Sequence, residues 1–60
     1  MTNPIEVVDA ARRLDERHGT EMAERRAVDF AGWYPRSHPR RDFWMRVAQV
    51  LADFRAEVQP

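Results

Sequence analysis

Sixty residues with no cysteine, and with ten acidic side chains balanced by ten basic ones, make room for a single small domain. They exclude a disulfide framework or a thiolate metal site. A formal net charge of zero argues against a polyanion contacted over the whole surface.

The first predicted element is a helix over 4-18. Asn3 is the expected N-cap, Pro4 takes the first helical position, and Glu6 stands three residues after the cap in a capping-box arrangement. Gly19 suits a left-handed residue that ends the helix after His18. On a helical wheel Val7, Ala11, Leu14 and His18 share one arc, with Val8 and Ala10 beside it and the charges on the remainder. Asp9–Arg13 and Arg12–Glu16 are spaced four apart and suited to pairing in solvent.

A second helix is predicted over 20-34, with Thr20 as N-cap, Glu21 and Glu24 near the positive end, and Pro35 as the stop. Its apolar arc is Ala23, Ala27, Phe30, Ala31 and Tyr34, flanked by Met22 and Trp33. Arg26 interrupts that flank. It is read as a stem covering Phe30 and Trp33 with a cation–π contact, the alternative being an anchor for an acidic partner group.

The third helix is predicted over 38-58, beginning at Ser37 or His38 with Pro39 in the first turn. Phe43, Trp44, Val47, Val50, Leu51, Phe54 and Val58 project to one side and define the core stripe. Met45, Ala48, Ala52 and Ala56 form a second stripe opposite it. That stripe is either a solvent face built of good helix formers or a second contact surface for a dimer or partner. With no strand-like alternation, repeat or low-complexity tract, the expected fold is all-α, a compact three-helix domain with its third helix across the first two.

The chemistry concentrates in residues 33–44, which hold both tryptophans and the only tyrosine. Residues 35–45 carry Arg36, Arg40 and Arg41 against Asp42, a local charge of +2 in a neutral chain whose ten basic residues are all arginine. Aromatic rings, guanidinium groups and proline-stiffened backbone suit a recognition surface, and equally a corner between two helices. Candidate binding residues are Trp33, Arg36, His38, Arg40 and Arg41. Phosphate contact by these arginines with stacking on Trp33 and Tyr34 is the nucleic-acid alternative. It is weakened by a sequence pI of about 6.7 and by Phe43 and Trp44 on the buried side of what would be the recognition helix.

No catalytic, cofactor or metal site is expected. His38 and Asp42 have the spacing of a base and an orienting carboxylate, but no nucleophile accompanies them. His18 and His38 sit at different helix ends without ligand spacing, and His18 beside Gly19 reads as a structural, half-buried helix end. No apolar run approaches the roughly eighteen residues of a membrane span. The amino terminus Met1-Thr2-Asn3-Pro4-Ile5-Glu6 has an acid where a signal peptide has basic residues. A cytoplasmic bacterial or phage protein is therefore expected, binding a protein partner or a second copy of itself, with no membrane contact and no small-molecule substrate.

An Ala-rich first helix ending in His18-Gly19, an Ala/Arg-bearing second helix and the later Trp44-Met45-Arg46-Val47-Ala48 resemble a family of short, uncharacterised proteobacterial-type helical proteins, a domain of unknown function. The resemblance covers about residues 8–54. The Trp-Tyr-Pro-Arg-Ser-His-Pro link departs from the Gly-Asp turn expected there. What it implies is a small helical fold, without any site residues.

Overall fold

Asn3 starts the first helix as its chemistry predicts. The computed structural model describes residues 3–58, and in it Asn3 is extended (φ −77°, ψ 121°) with its side-chain oxygen accepting the Ile5 N–H at 2.9 Å. One orphan donor of α1 (Pro4–His18) is thereby satisfied. The reciprocal bond from Glu6, expected of a capping box, is not made among the described residues.

Gly19 then serves two helices. Its N–H donates to Asp15 O at 2.8 Å, closing α1, and its carbonyl accepts the Ala23 N–H at 2.8 Å, opening α2 (Thr20–Gly32). Its φ of 82° is positive as expected, but ψ is 155°, so the residue is extended rather than left-handed helical. That region is essentially restricted to glycine. The extended ψ already gives Gly19 the role of N-cap, so Thr20 is not the cap predicted from its side chain. Thr20 is the first helical residue, and its hydroxyl donates to the Asp15 carboxylate across the corner.

α2 ends two residues earlier than the predicted position 34. Pro35 has no N–H to offer and its ring disfavours a helical conformation at Tyr34. The last turn tightens instead: Trp33 N–H donates to Phe30 O at 3.1 Å and Tyr34 N–H to Ala31 O at 3.2 Å, the three-residue spacing common at helix ends. α3 (Pro39–Val58) starts after His38, whose Nδ1 accepts the Arg40 N–H at 3.1 Å and whose carbonyl accepts the Arg41 N–H at 3.1 Å.

The three helices pack around a core of Val7, Ala11, Ala23, Ala27, Ala31, Val47, Ala48 and Leu51. Five of these eight are alanine, so the helix backbones approach closely and little side-chain volume fills the centre. Phe43, Trp44, Val50 and Phe54 of α3 and Ala10 and Leu14 of α1 close the core from its edges, half-exposed. Val58, the last expected member of the α3 stripe, lies outside the residues whose side chains are described.

The second stripe of α3 does not exist as a continuous surface. Ala48 is 6% exposed and belongs to the core; Ala52 is half-buried, while Met45 and Ala56 are exposed. The reason is that α3 packs on both α1 and α2, and a helix with two neighbours buries a wider arc than a single stripe.

One ion pair joins α2 to α3. Arg55 Nη1 lies 2.9 Å from Glu24 Oε2, with both side chains partly shielded. That carboxylate oxygen is buried and receives no well-aligned hydrogen bond, so the contact is Coulombic. The Asp9–Arg13 pair forms as predicted at 3.2 Å, and Asp42–Arg46 at 2.8 Å. Both are solvated pairs within one helix, a class worth a few tenths of a kcal/mol. Arg12 and Glu16 are not paired among the described residues.

Candidate functional site

The corner between α2 and α3 gathers the residues singled out from the sequence, and most of them contact one another or a neighbouring ring. A row of rings runs across it. Trp33 meets Phe30 edge-on at 5.0 Å between centroids, Phe30 meets Trp44 at 4.8 Å, and Trp44 meets Phe43 edge-on at 5.1 Å. Edge-to-face contacts in this range are attractive because a ring's positive rim faces its neighbour's negative face. The Arg40 guanidinium lies 6.0 Å from the Phe43 centroid and extends the row by a cation, at the outer limit of a cation–π contact.

Beside this row, Tyr34 and His38 lie ring to ring at 4.8 Å with a 32° tilt. Arg41 Nη1 donates to the Tyr34 carbonyl at 3.4 Å, supplying a donor where Pro35 deprived the helix end of one. His38 is thus a helix cap and a stacking partner. Asp42 points to Arg46 rather than to His38, so the base–carboxylate pair that their spacing allowed is not assembled.

Four of the five candidate binding residues are exposed: Trp33, Arg36, His38 and Arg40. Trp33 is 74% exposed although its indole abuts Phe30. Arg36, in the turn between the helices, is exposed and makes no hydrogen bond, ion pair or ring contact among the described residues. Arg26 is exposed and shows no cation–π contact to Phe30 or Trp33 among the described residues. The covering role expected of it is therefore not seen.

His18, at the opposite corner, is half-buried as expected. Desolvation by its surroundings, then the Arg26 and Arg17 guanidinium groups, hold its imidazole below the ordinary value of 6.5. Arg26 is thus felt at the α1–α2 corner rather than at Trp33. An open groove of about 780 Å³ runs past this corner, lined by residues that include Met22, Arg25, Val28 and Arg55. Its lining mixes charges of both signs and converges on no single group.

One surface escaped the sequence reading. Ile5 is 76% exposed, and Val8 borders a cleft between α1 and α3. The signal was available: Ile5 falls on the wheel opposite Val7, Ala11 and Leu14, an apolar residue on the solvent face of an otherwise charged arc.

No protein-family model matches the chain, and comparison with curated proteins and with solved structures returns no match. The resemblance drawn from His18-Gly19 and Trp44–Ala48 therefore stands on those residues alone. No helix among the described residues is long and apolar enough to cross a membrane.

Proposed function

We propose that this chain is a non-enzymatic accessory protein that binds another protein through the α2–α3 corner, with Trp33 as the anchor. The observation that carries this reading is the exposure of the Trp33 indole at the end of a packed aromatic row. An isolated domain gains nothing by leaving its largest apolar side chain in water, and tryptophan is among the residues that dominate binding energy when a partner covers them. Phe30 fixes one edge of the indole, so little rotamer freedom remains to be lost on binding. Arg36 stands nearby in sequence with its guanidinium uncommitted, and the segment's charge of +2 favours an acidic partner surface.

Nucleic acid is the lesser reading because the arginine set is dispersed. Arg41 is engaged with the Tyr34 carbonyl, leaving two exposed arginines, Arg36 and Arg40, where a phosphate-tracking stripe needs several charges.

The test is affinity capture from the native host with wild-type and Trp33→Ala baits, followed by titration of the captured protein. Trp33→Ala is expected to weaken binding about 30-fold, as a hot-spot truncation of about 2 kcal/mol does. Stability should stay within about 0.5 kcal/mol, because the indole is mostly in solvent. Binding indifferent to Trp33→Ala refutes the proposal. Retardation of nucleic acid at low salt, with a salt slope that falls when Arg36 is removed, replaces it with the alternative.

A further inference from the structure

Residues 35–40 form the longest run of consecutive exposed residues among those described. Ser37, the only serine of the chain, lies within it. Its hydroxyl makes no hydrogen bond among the described residues. The other described hydroxyls are committed to the fold. Thr20 is half-buried and donates to the Asp15 carboxylate, and Tyr34 is half-buried with its ring beside His38. We infer that Ser37 is a phosphorylation site, and that its phosphate, held by Arg36 and Arg40, weakens the corner's grip on an acidic partner.

Access is the first ground for this. A kinase acting on a folded chain needs the acceptor hydroxyl and its neighbours free of the core, as surface connections are. The turn around Ser37 is closed by a single backbone bond, from the His38 N–H to Pro35 O at 2.9 Å, so little has to be undone to seat it.

Charge is the second. Arg36 precedes the hydroxyl and Arg40 follows three residues later, both exposed, and flanking charges of this kind are what kinase and substrate pair through. Successive bonds from His38 N–H to Pro35 O and from Arg41 N–H to His38 O keep the backbone wound there, which holds Arg40 near position 37. The adjoining charges are already engaged: Arg41 with the Tyr34 carbonyl, and Asp42 with Arg46. The first amides of α3 are engaged too, because His38 accepts the Arg40 and Arg41 N–H groups. The two exposed guanidinium groups are therefore what a phosphate at Ser37 has to bind, in charge-assisted hydrogen bonds.

In the transfer, Ser37 Oγ bonds to the terminal phosphorus of a nucleoside triphosphate held by the kinase. The bond from that phosphorus to its bridging oxygen breaks, the nucleoside diphosphate leaves, and the hydroxyl proton passes to the kinase's base. The added charge of about −1.5 to −2 offsets the +2 of residues 35–45. The effect on binding rests on the role proposed above for the corner; the modification itself does not.

Mass spectrometry of the chain recovered from its native host, with phosphatases inhibited, should find phosphate on Ser37. A chain unmodified there, or modified only at another hydroxyl, overturns the inference. A synthetic chain with phosphoserine at position 37 tests the clamp. By phosphorus NMR its second phosphate ionisation should fall at lower pH than in the same chain carrying Arg36→Gln and Arg40→Gln, and equal titration overturns it. Used as a bait, the phosphorylated chain should recover at least about tenfold less of the protein captured through Trp33 than unmodified chain does, while Ser37→Ala recovers as much as wild type. Equal recovery by the phosphorylated and unmodified baits overturns the switch. Recovery indifferent to Trp33→Ala refutes instead the corner's binding role, and the titration still decides the clamp.

Discussion

The two glycines make the sharpest test of the backbone, because the same substitution is expected to act with opposite sign at each. A methyl group added at Gly19 or at Gly32 meets no atom within 4 Å, so neither change is decided by crowding. Gly19 has φ 82° and ψ 155°, where an L-residue is strained by about 1–3 kcal/mol. Alanine also removes freedom from the unfolded chain, which returns about 0.4–1 kcal/mol. Gly19→Ala should therefore destabilise by about 1–2 kcal/mol, a fall of about 5–15 °C in Tm for a domain of this size. Gly32 closes α2 without a positive φ, so Gly32→Ala should stabilise by about 0.5 kcal/mol. Thermal and urea unfolding followed by circular dichroism measure both. A third variant with D-alanine at position 19, made by chemical synthesis, should be at least as stable as the wild type, since positive φ is natural to it and the space is open. If Gly19→Ala stabilises as Gly32→Ala does, the helix corner is not built on a positive φ and the reasoning fails.

Other expectations follow from single contacts. Leu51→Ala should cost about 3 kcal/mol or more, close to the whole stability of a domain this small, so the variant should be largely unfolded at room temperature by circular dichroism; a shift below about 1 kcal/mol would mean that the alanine-lined core collapses around the gap. His38→Ala removes the side-chain acceptor of the Arg40 N–H and the ring beside Tyr34, and should cost about 0.5–1.5 kcal/mol in urea melts. The depressed His18 value means that the folded chain takes up a proton less readily than the unfolded one. Its contribution is complete above 6.5 and is lost as pH falls from 6.5 toward the folded value. His18→Gln should flatten that limb in denaturation midpoints measured between about pH 5 and 7; an unchanged slope would remove His18 as its origin.

The fold was legible because each helix carries its own start and stop chemistry. Asn3-Pro4, Gly19 and His38-Pro39 mark boundaries in residues whose backbone preferences leave few choices. The misreadings come from places where one preference overrode another. Thr20 has the side chain of an N-cap, but Gly19's extended backbone already held that position. The end of α2 was set by the conformational demand of Pro35 on Tyr34, felt two residues upstream. Ala48 was assigned to an outer stripe because a wheel drawn for one helix contains no information about how many neighbours it has; packing on two helices drew it into the core. The same limit applies to the site. The segment 33–44 was visible as a cluster of types, yet its chain positions do not say that Arg41 would bind the Tyr34 carbonyl while Trp33, Arg36 and Arg40 stay exposed. Ile5 has no place in the predicted arcs, although its position opposite Val7, Ala11 and Leu14 was there to read; its 76% exposure shows only in the fold.

The aromatic row also gives the chain an internal optical probe. Its two tryptophans sit in contrasting surroundings: Trp44 is half-buried against Phe30 and Phe43, while Trp33 faces water. Their emission should separate accordingly, the shielded indole to the blue and the hydrated one to the red and open to a dissolved quencher. Unfolding would register chiefly through Trp44, and occupation of the corner through Trp33. Because both indoles contact Phe30, they lie close enough for excitation energy to pass between them through space. A ligand that shields Trp33 should therefore change the light from a chromophore it never contacts.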